Sequence, residues 1–214
     1  MRLTVVGCSG SVVGAHTPAS CYLLQSATHR PIIMDIGNGS MGGLQDLVDP
    51  SDCDLVLSHL HPDHIADISS LIVWRRYSHK STNTPATVLG PSTFLEKVGE
   101  WFADDYGTRH DLTDTFDFHP WDLAAPQSLG GFTFQAFRAD HPGEAYCMRV
   151  KEDSTGATFC FSGDTGPANG IHSASAGVDV FLCEATWTTQ PHLPEHMHMT
   201  GALAGELATE NSVG

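Results

Sequence analysis

The chain has 214 residues and carries 10 Lys plus Arg against 25 Asp plus Glu, a net charge of 10 − 25 = −15 with histidine neutral. This length suffices for one domain with a real core or for two small ones. The acidic balance disfavours neutralising the backbone of a long nucleic acid, but leaves room for a small anion held at a local positive site, including one that bound cations would create.

In chain order, residues 3–7 read as a first strand that runs into the small-residue loop Gly7-Cys8-Ser9-Gly10-Ser11. Branched and aromatic residues over 19–25 and 31–35 predict a hairpin, closed by Asp35-Ile36-Gly37-Asn38-Gly39. A short helix is expected over 43–48, and a buried strand over 53–58. A helix over 67–77 presents Leu71, Ile72 and Trp74 as its apolar face, with Arg75 and Arg76 expected on a solvated side. A strand and turn over 88–91 precede a helix capped by Ser92 that runs to about Ala103 and buries Phe94, Leu95, Val98 and Phe102. Residues 104–130 are polar and turn-rich, and His110 and His119 within them read as surface residues. A second hairpin over 132–137 and 145–150 is connected through Asp140-His141-Pro142-Gly143. Strands follow over 158–161, ending in Ser162-Gly163-Asp164-Thr165-Gly166, and over 178–183, expected to be buried and ending in Glu184. The segment His196-Met197-His198-Met199-Thr200-Gly201 leads into a last helix with Leu203 and Leu207, and His192 and His196 read as surface residues. Strands interleaved with helices and no linker-like tract predict a single α/β domain over 1–214. Six cysteines without a Cys-x-x-Cys pair read as reduced thiols. There is no apolar run of bilayer-spanning length and no export signal at the start, so a cytoplasmic protein with no membrane contact is expected.

The densest chemistry is Ser58-His59-Leu60-His61-Pro62-Asp63-His64, which leaves the strand over 53–58. His59 and His61, at i and i+2 on an extended chain, share a side and can converge on one metal ion. Asp63 and His64 follow the Pro62 turn and can hold a second. Imidazole and carboxylate suit zinc, manganese and iron. Asp164-Thr165-Gly166 also spells the aspartic-protease triplet, but that chemistry needs two such carboxylates and the chain has one.

The pattern His-x-His-x-Asp-His behind an apolar strand resembles the signature of the metallo-β-lactamase fold. Within that fold the chain resembles the branch containing tRNase Z, and most of all actinobacterial cyclic-nucleotide phosphodiesterases. The matching stretches include Trp74-Arg75-Arg76-Tyr77 and Ser162-Gly163-Asp164-Thr165-Gly166. The resemblance implies an αββα four-layer sandwich and a binuclear centre of two divalent ions, zinc foremost. By that match His59, His61 and His141 hold one ion, Asp63 and His64 the other, and Asp164 bridges them. Asp35 is implied as a buttress of the metal loop, not a ligand. Glu184 would orient His198, within His198-Met199-Thr200, to give a proton or hydrogen bond to the departing oxygen. Asp63, His198 and Glu184 are thus the catalytic candidates beside the ligands.

The implied substrate is a small cyclic nucleotide, cyclic AMP first. Two cations would generate hydroxide that attacks phosphorus, and the product would be the 5′-monophosphate. The resemblance also implies a homodimer. The family's last ligand, a histidine closing a later strand, has no counterpart before Gly214, so the C-terminal end of the fold is expected to be missing. Other readings are tRNA 3′ processing, lactone or thioester hydrolysis, and a non-catalytic sensor of metal or nucleotide. Charge weighs against the tRNA reading. So does the step of 164 − 141 = 23 residues from His141 to Asp164, too short for a basic tRNA-gripping arm.

Overall fold

The computed structural model describes residues 1–78, 84–188, 192, 194 and 196–214. Their Cα packing defines two compact units, Arg2–Pro120 and Trp121–Gly214, the latter joined by Met1.

The first unit is a six-stranded sheet whose spatial order follows the chain: β1 (Arg2–Gly7), β2 (Cys21–Gln25), β3 (Ile32–Ile36), β4 (Asp54–Val56), β5 (Ala86–Gly90) and β6 (Phe116–Pro120). β1, β2 and β3 pair antiparallel, and β3 to β6 pair parallel. Parallel neighbours need crossovers, and helices supply them. Between β3 and β4 lie α1 (Ser40–Leu47) and a 3-10 turn at Pro50–Asp52; between β4 and β5 lie α2 (Pro62–Ile65) and α3 (Ile68–Tyr77); between β5 and β6 lies α4 (Phe94–Trp101). α3 buries Ile68, Leu71, Ile72 and Arg75, the spacing of one helical face. α4 buries Phe94 and Val98, and the Phe94 ring meets Phe116 and Phe118 at 5.4 and 5.3 Å. Because parallel strands point the same way, the chain leaves β3 and β4 at one edge of the sheet, where Asp35–Gly39 and the histidine loop are paid out.

The second unit is a five-stranded sheet in the order β11-β10-β9-β8-β7, built from β7 (Gln127–Leu129), β8 (Phe132–Arg138), β9 (Tyr146–Glu152), β10 (Thr158–Phe161) and β11 (Val180–Leu182). Only the β10–β11 pair is parallel. The crossover is α5 (Asn169–Ser175), whose Ile171 and Ala174 pack with Cys147, Cys160, Val178, Met199 and Leu207 of α6 (Gly201–Glu210). A Cβ on Gly170 would lie 1.9 Å from the Arg138 carbonyl oxygen, so the helix can lie this close to β8 only with glycine there. Among the described residues, no helix is long and apolar enough to cross a membrane.

Four local expectations are corrected. Arg75 is buried, donating to the carbonyls of Ser51 and Thr84, and Arg76 binds the Asp114 carboxylate and His110 Nε2, so neither is a solvated helix charge. The backbone cap of α4 is Thr93, not Ser92. The stretch 104–130 contains β6 and β7, and His110 packs edge-on against Phe102 at 5.4 Å; Phe116 and Phe118 alternate toward α4, a period-two pattern that the surrounding Asp and His residues mask. β11 is a partly exposed edge strand, with Val180 at 55% exposure. All six cysteines are unpaired, and burial pushes Cys53, Cys147 and Cys183 up to about 12.

Candidate metal centre

In the first unit, Asp35 stands at the end of β3 with no solvent exposure and a left-handed φ of 55°. That conformation is uncommon outside glycine and is best tolerated by Asp and Asn. It aims the carboxylate at the strand next door, where it accepts from Ser58 N (2.8 Å), Ser58 Oγ (2.7 Å) and His64 Nδ1 (2.7 Å). Ser58 has a single hydroxyl proton and spends it on Asp35, so at 3.0 Å its oxygen accepts from His59 Nδ1. One carboxylate therefore sets the tautomer of two histidines, and in both the lone pair lies on Nε2.

The loop is braced on its other side as well. A Cβ on Gly37 would fall 2.0 Å from the Asp63 carbonyl oxygen, so α2 can sit against the end of β3 only because that residue is glycine. Asp67, the backbone cap of α3, accepts from Met41 N at 2.9 Å and its own N–H reaches the Ile36 carbonyl at 3.1 Å. The rings of His59 and His61 are 4.7 Å apart at 85°, those of His59 and His64 4.1 Å apart. Asp63 Oδ2 lies 3.7 Å from His64 Nε2. All four expected ligands of this loop thus gather at the C-terminal ends of β3 and β4.

In the second unit, His141 lies in the β8–β9 connection, Asp164 follows β10, Glu184 follows β11 and His198 precedes α6. Bonds donated by backbone N–H groups tie these loops together: Gly166 N donates to Asp140 O (2.8 Å), Asp140 N to Thr165 Oγ1 (2.9 Å) and Thr165 N to Glu184 Oε1 (2.6 Å). Glu184 Oε1 also accepts from His198 Nδ1 at 3.0 Å, the pairing expected from the motif. Met197 O accepts from His141 Nδ1 at 2.9 Å. A carbonyl can only accept, so His141 also has its lone pair on Nε2. His198 lies 5.2 Å from His141, ring to ring, and its Nδ1 is 3.8 Å from Asp164 Oδ2. His141, Asp164 and His198 each offer a ligand atom within 4.8 Å of the others. His196 is turned outward at 76% side-chain exposure and held by Asp140 at 2.9 Å.

The donor set fits divalent metal. In the first unit His59 and His64, and in the second His141, have Nδ1 held by an oxygen and the pair on Nε2; Asp63 lies beside His64 and Asp164 beside His198. An oxygen partner on the far nitrogen is the usual support of a metal-binding imidazole. Sequence reading expected Asp35 to buttress the metal loop and Glu184 to orient His198, and missed Ser58 and the Met197 carbonyl. Ser58 carried a legible signal, a hydroxyl beside the first histidine. A backbone carbonyl carries none.

Comparison with known proteins places the chain. A family model described as a β-lactamase superfamily domain matches residues 42–212. The uncharacterized protein Rv1339 of Mycobacterium tuberculosis is 41% identical over 213 residues, covering 100% of this chain and 78% of that protein. The probable metallo-hydrolase YhfI of Bacillus subtilis is 27% identical over 229 residues, covering 100% of this chain and 84% of its own. The crystal structure of YhfI matches at a TM-score of 0.85 and 24% identity, over 99% of this chain and 82% of that one. Human tRNase Z, short form, matches at a TM-score of 0.76 and 20% identity, over 100% of this chain and 89% of that one.

Proposed function

This chain belongs to the β-lactamase superfamily and has its metallo-β-lactamase fold, and on that footing we propose that it is a binuclear phosphodiesterase that hydrolyses 3′,5′-cyclic nucleotides, cyclic AMP first, to 5′-monophosphates. Its ligands would be His59, His61, Asp63, His64, His141 and Asp164, with zinc, manganese or iron all compatible with imidazole and carboxylate donors. When bound, such ions neutralise phosphate charge and make water acidic enough to supply a nucleophile near neutral pH.

The observation that carries the reading is the Glu184–His198 pair, 3.0 Å apart beside Asp164. The Glu184 carboxylate accepts from Nδ1 and orients the ring, which makes Nε2 the atom that would hand a proton to a departing alkoxide. A phosphodiester needs that proton, because an unactivated sugar oxygen is a poor leaving group. Asp35 and Ser58 act earlier: they keep His59 and His64 in the ligand tautomer. Product analysis tests the reading. Cyclic AMP should yield 5′-AMP, the product of breaking the bond from phosphorus to the 3′-oxygen. Formation of 3′-AMP, or no turnover by the metal-loaded protein, would refute it.

A second reading, tRNA 3′ processing, is favoured by the likeness to human tRNase Z. Two features weigh against it for this chain. The net charge is −15, and the residues from His141 to Asp164 are occupied by β9, a short turn and β10.

A further inference from the structure

Lys97 is a charged residue close to the histidine loop that the proposed chemistry does not use. It sits on α4 between the core residues Phe94 and Val98, and its Nζ donates to the carbonyl oxygen of Leu60 at 2.6 Å while lying 5.4 Å from the centre of the Trp101 ring. Leu60 is the residue between His59 and His61, and its own side chain is buried at 6% exposure. The acid one turn along its own helix, Glu100, is bound by Arg109. The ammonium is thereby left to the loop.

We propose that Lys97 is a positioning residue for the metal loop: by holding the Leu60 carbonyl it fixes the peptide that sets His59 and His61 relative to each other. Leu60 is then held at two points, its side chain in the core and its carbonyl on a helix that is itself anchored by Phe94 and Val98. Fixing this carbonyl restricts ψ of Leu60 and φ of His61, two of the torsions that separate the two imidazoles. The assignment rests on the reading of His59 and His61 as ligands. It also makes a prediction of sign. A lysine near a cation site repels the cation, so charge alone predicts that removing it tightens metal binding. Positioning predicts the opposite.

The test uses Lys97→Met, which removes the donor, and Lys97→Arg, which keeps a charged donor of similar reach. Affinity of the metal-free protein for Co2+ is measured by competition with a chromophoric chelator, alongside the visible absorption of the Co2+ form and the melting temperature without metal. Lys97→Met should bind Co2+ about 10- to 100-fold more weakly, the usual cost of losing support behind a metal ligand. Its Co2+ spectrum should change while its metal-free melting temperature stays at the wild-type value, and Lys97→Arg should restore both affinity and spectrum. Binding by Lys97→Met as tight as wild type or tighter would overturn the proposal. So would Lys97→Arg as weak as Lys97→Met, or a loss of affinity matched by a loss of metal-free stability. A wild-type protein that binds no Co2+ would instead refute the ligand reading itself.

Discussion

Replacing Asp35 by Asn would remove the charge on which three donors converge while keeping the side chain's size. Asn tolerates the left-handed φ of 55°, so backbone strain does not confound the result. The amide has one accepting oxygen where the carboxylate has two. In its best orientation that oxygen receives Ser58 Oγ and His64 Nδ1, and the amide nitrogen is left facing Ser58 N–H, now donor against donor. A buried hydrogen bond to a charged group is worth about 1.5–3 kcal/mol, and a buried donor left unmet costs about 1–3 kcal/mol, so we expect a loss of about 3 kcal/mol in the metal-free protein. Metal affinity should fall about 10- to 100-fold, because His64 loses the charge that orders its tautomer. Asp35→Ala should lose about 1–2 kcal/mol more, since alanine pays for the left-handed backbone. Urea unfolding and chelator competition measure both quantities. Wild-type stability together with wild-type metal affinity in Asp35→Asn would refute the claim that this carboxylate organises the loop.

Three further outcomes are expected. Glu184→Gln should lower kcat on cyclic AMP about 100-fold with metal content unchanged, and much less on a phosphodiester with a p-nitrophenolate leaving group, which needs no proton; equal losses on both substrates would contradict the role of His198. Thiol labelling of the native protein should modify Cys8 first and Cys183 slowly, leaving the buried Cys21, Cys53, Cys147 and Cys160 unreactive until unfolding; rapid modification of any of these four would show that the cores are not packed as described. The side-chain hydrogen bond from Arg76 holds the Asp114 carboxyl below the usual carboxylate range. Its stabilising effect is therefore fully present above the unfolded value of about 3.9 and is lost as pH falls through the lower folded value, so the stability difference between wild type and Asp114→Asn should be present at pH 7 and vanish in strong acid. A difference that persists or grows in acid would contradict the pairing.

The parts of this protein that follow from short-range chemistry were legible in its sequence. The histidine loop could be read because four ligand-type residues crowd behind an apolar strand, and β10, with its run of Thr158 to Phe161, could be read because β-branched and aromatic residues fill it. Asp35 and Glu184 were reached through the motif. What was not legible depends on partners distant in sequence. Arg75 is buried because the carbonyls of Ser51 and Thr84 happen to meet it, and nothing in its neighbours announces them. α5 escaped notice because Asn169-Gly170-Ile171-His172 has weak helix propensity and is helical by virtue of what it packs on. Lys97 reads as one more charge on an amphipathic helix until its acceptor, 37 residues away, is seen.

The most direct test of the account is elemental analysis of the purified 214-residue chain, coupled to production of 5′-AMP from cyclic AMP before and after chelation. The account predicts two equivalents of divalent metal, turnover abolished by the chelator, and turnover restored when metal is returned. Turnover that survives complete metal removal, or a protein that takes up no metal at all, would contradict it.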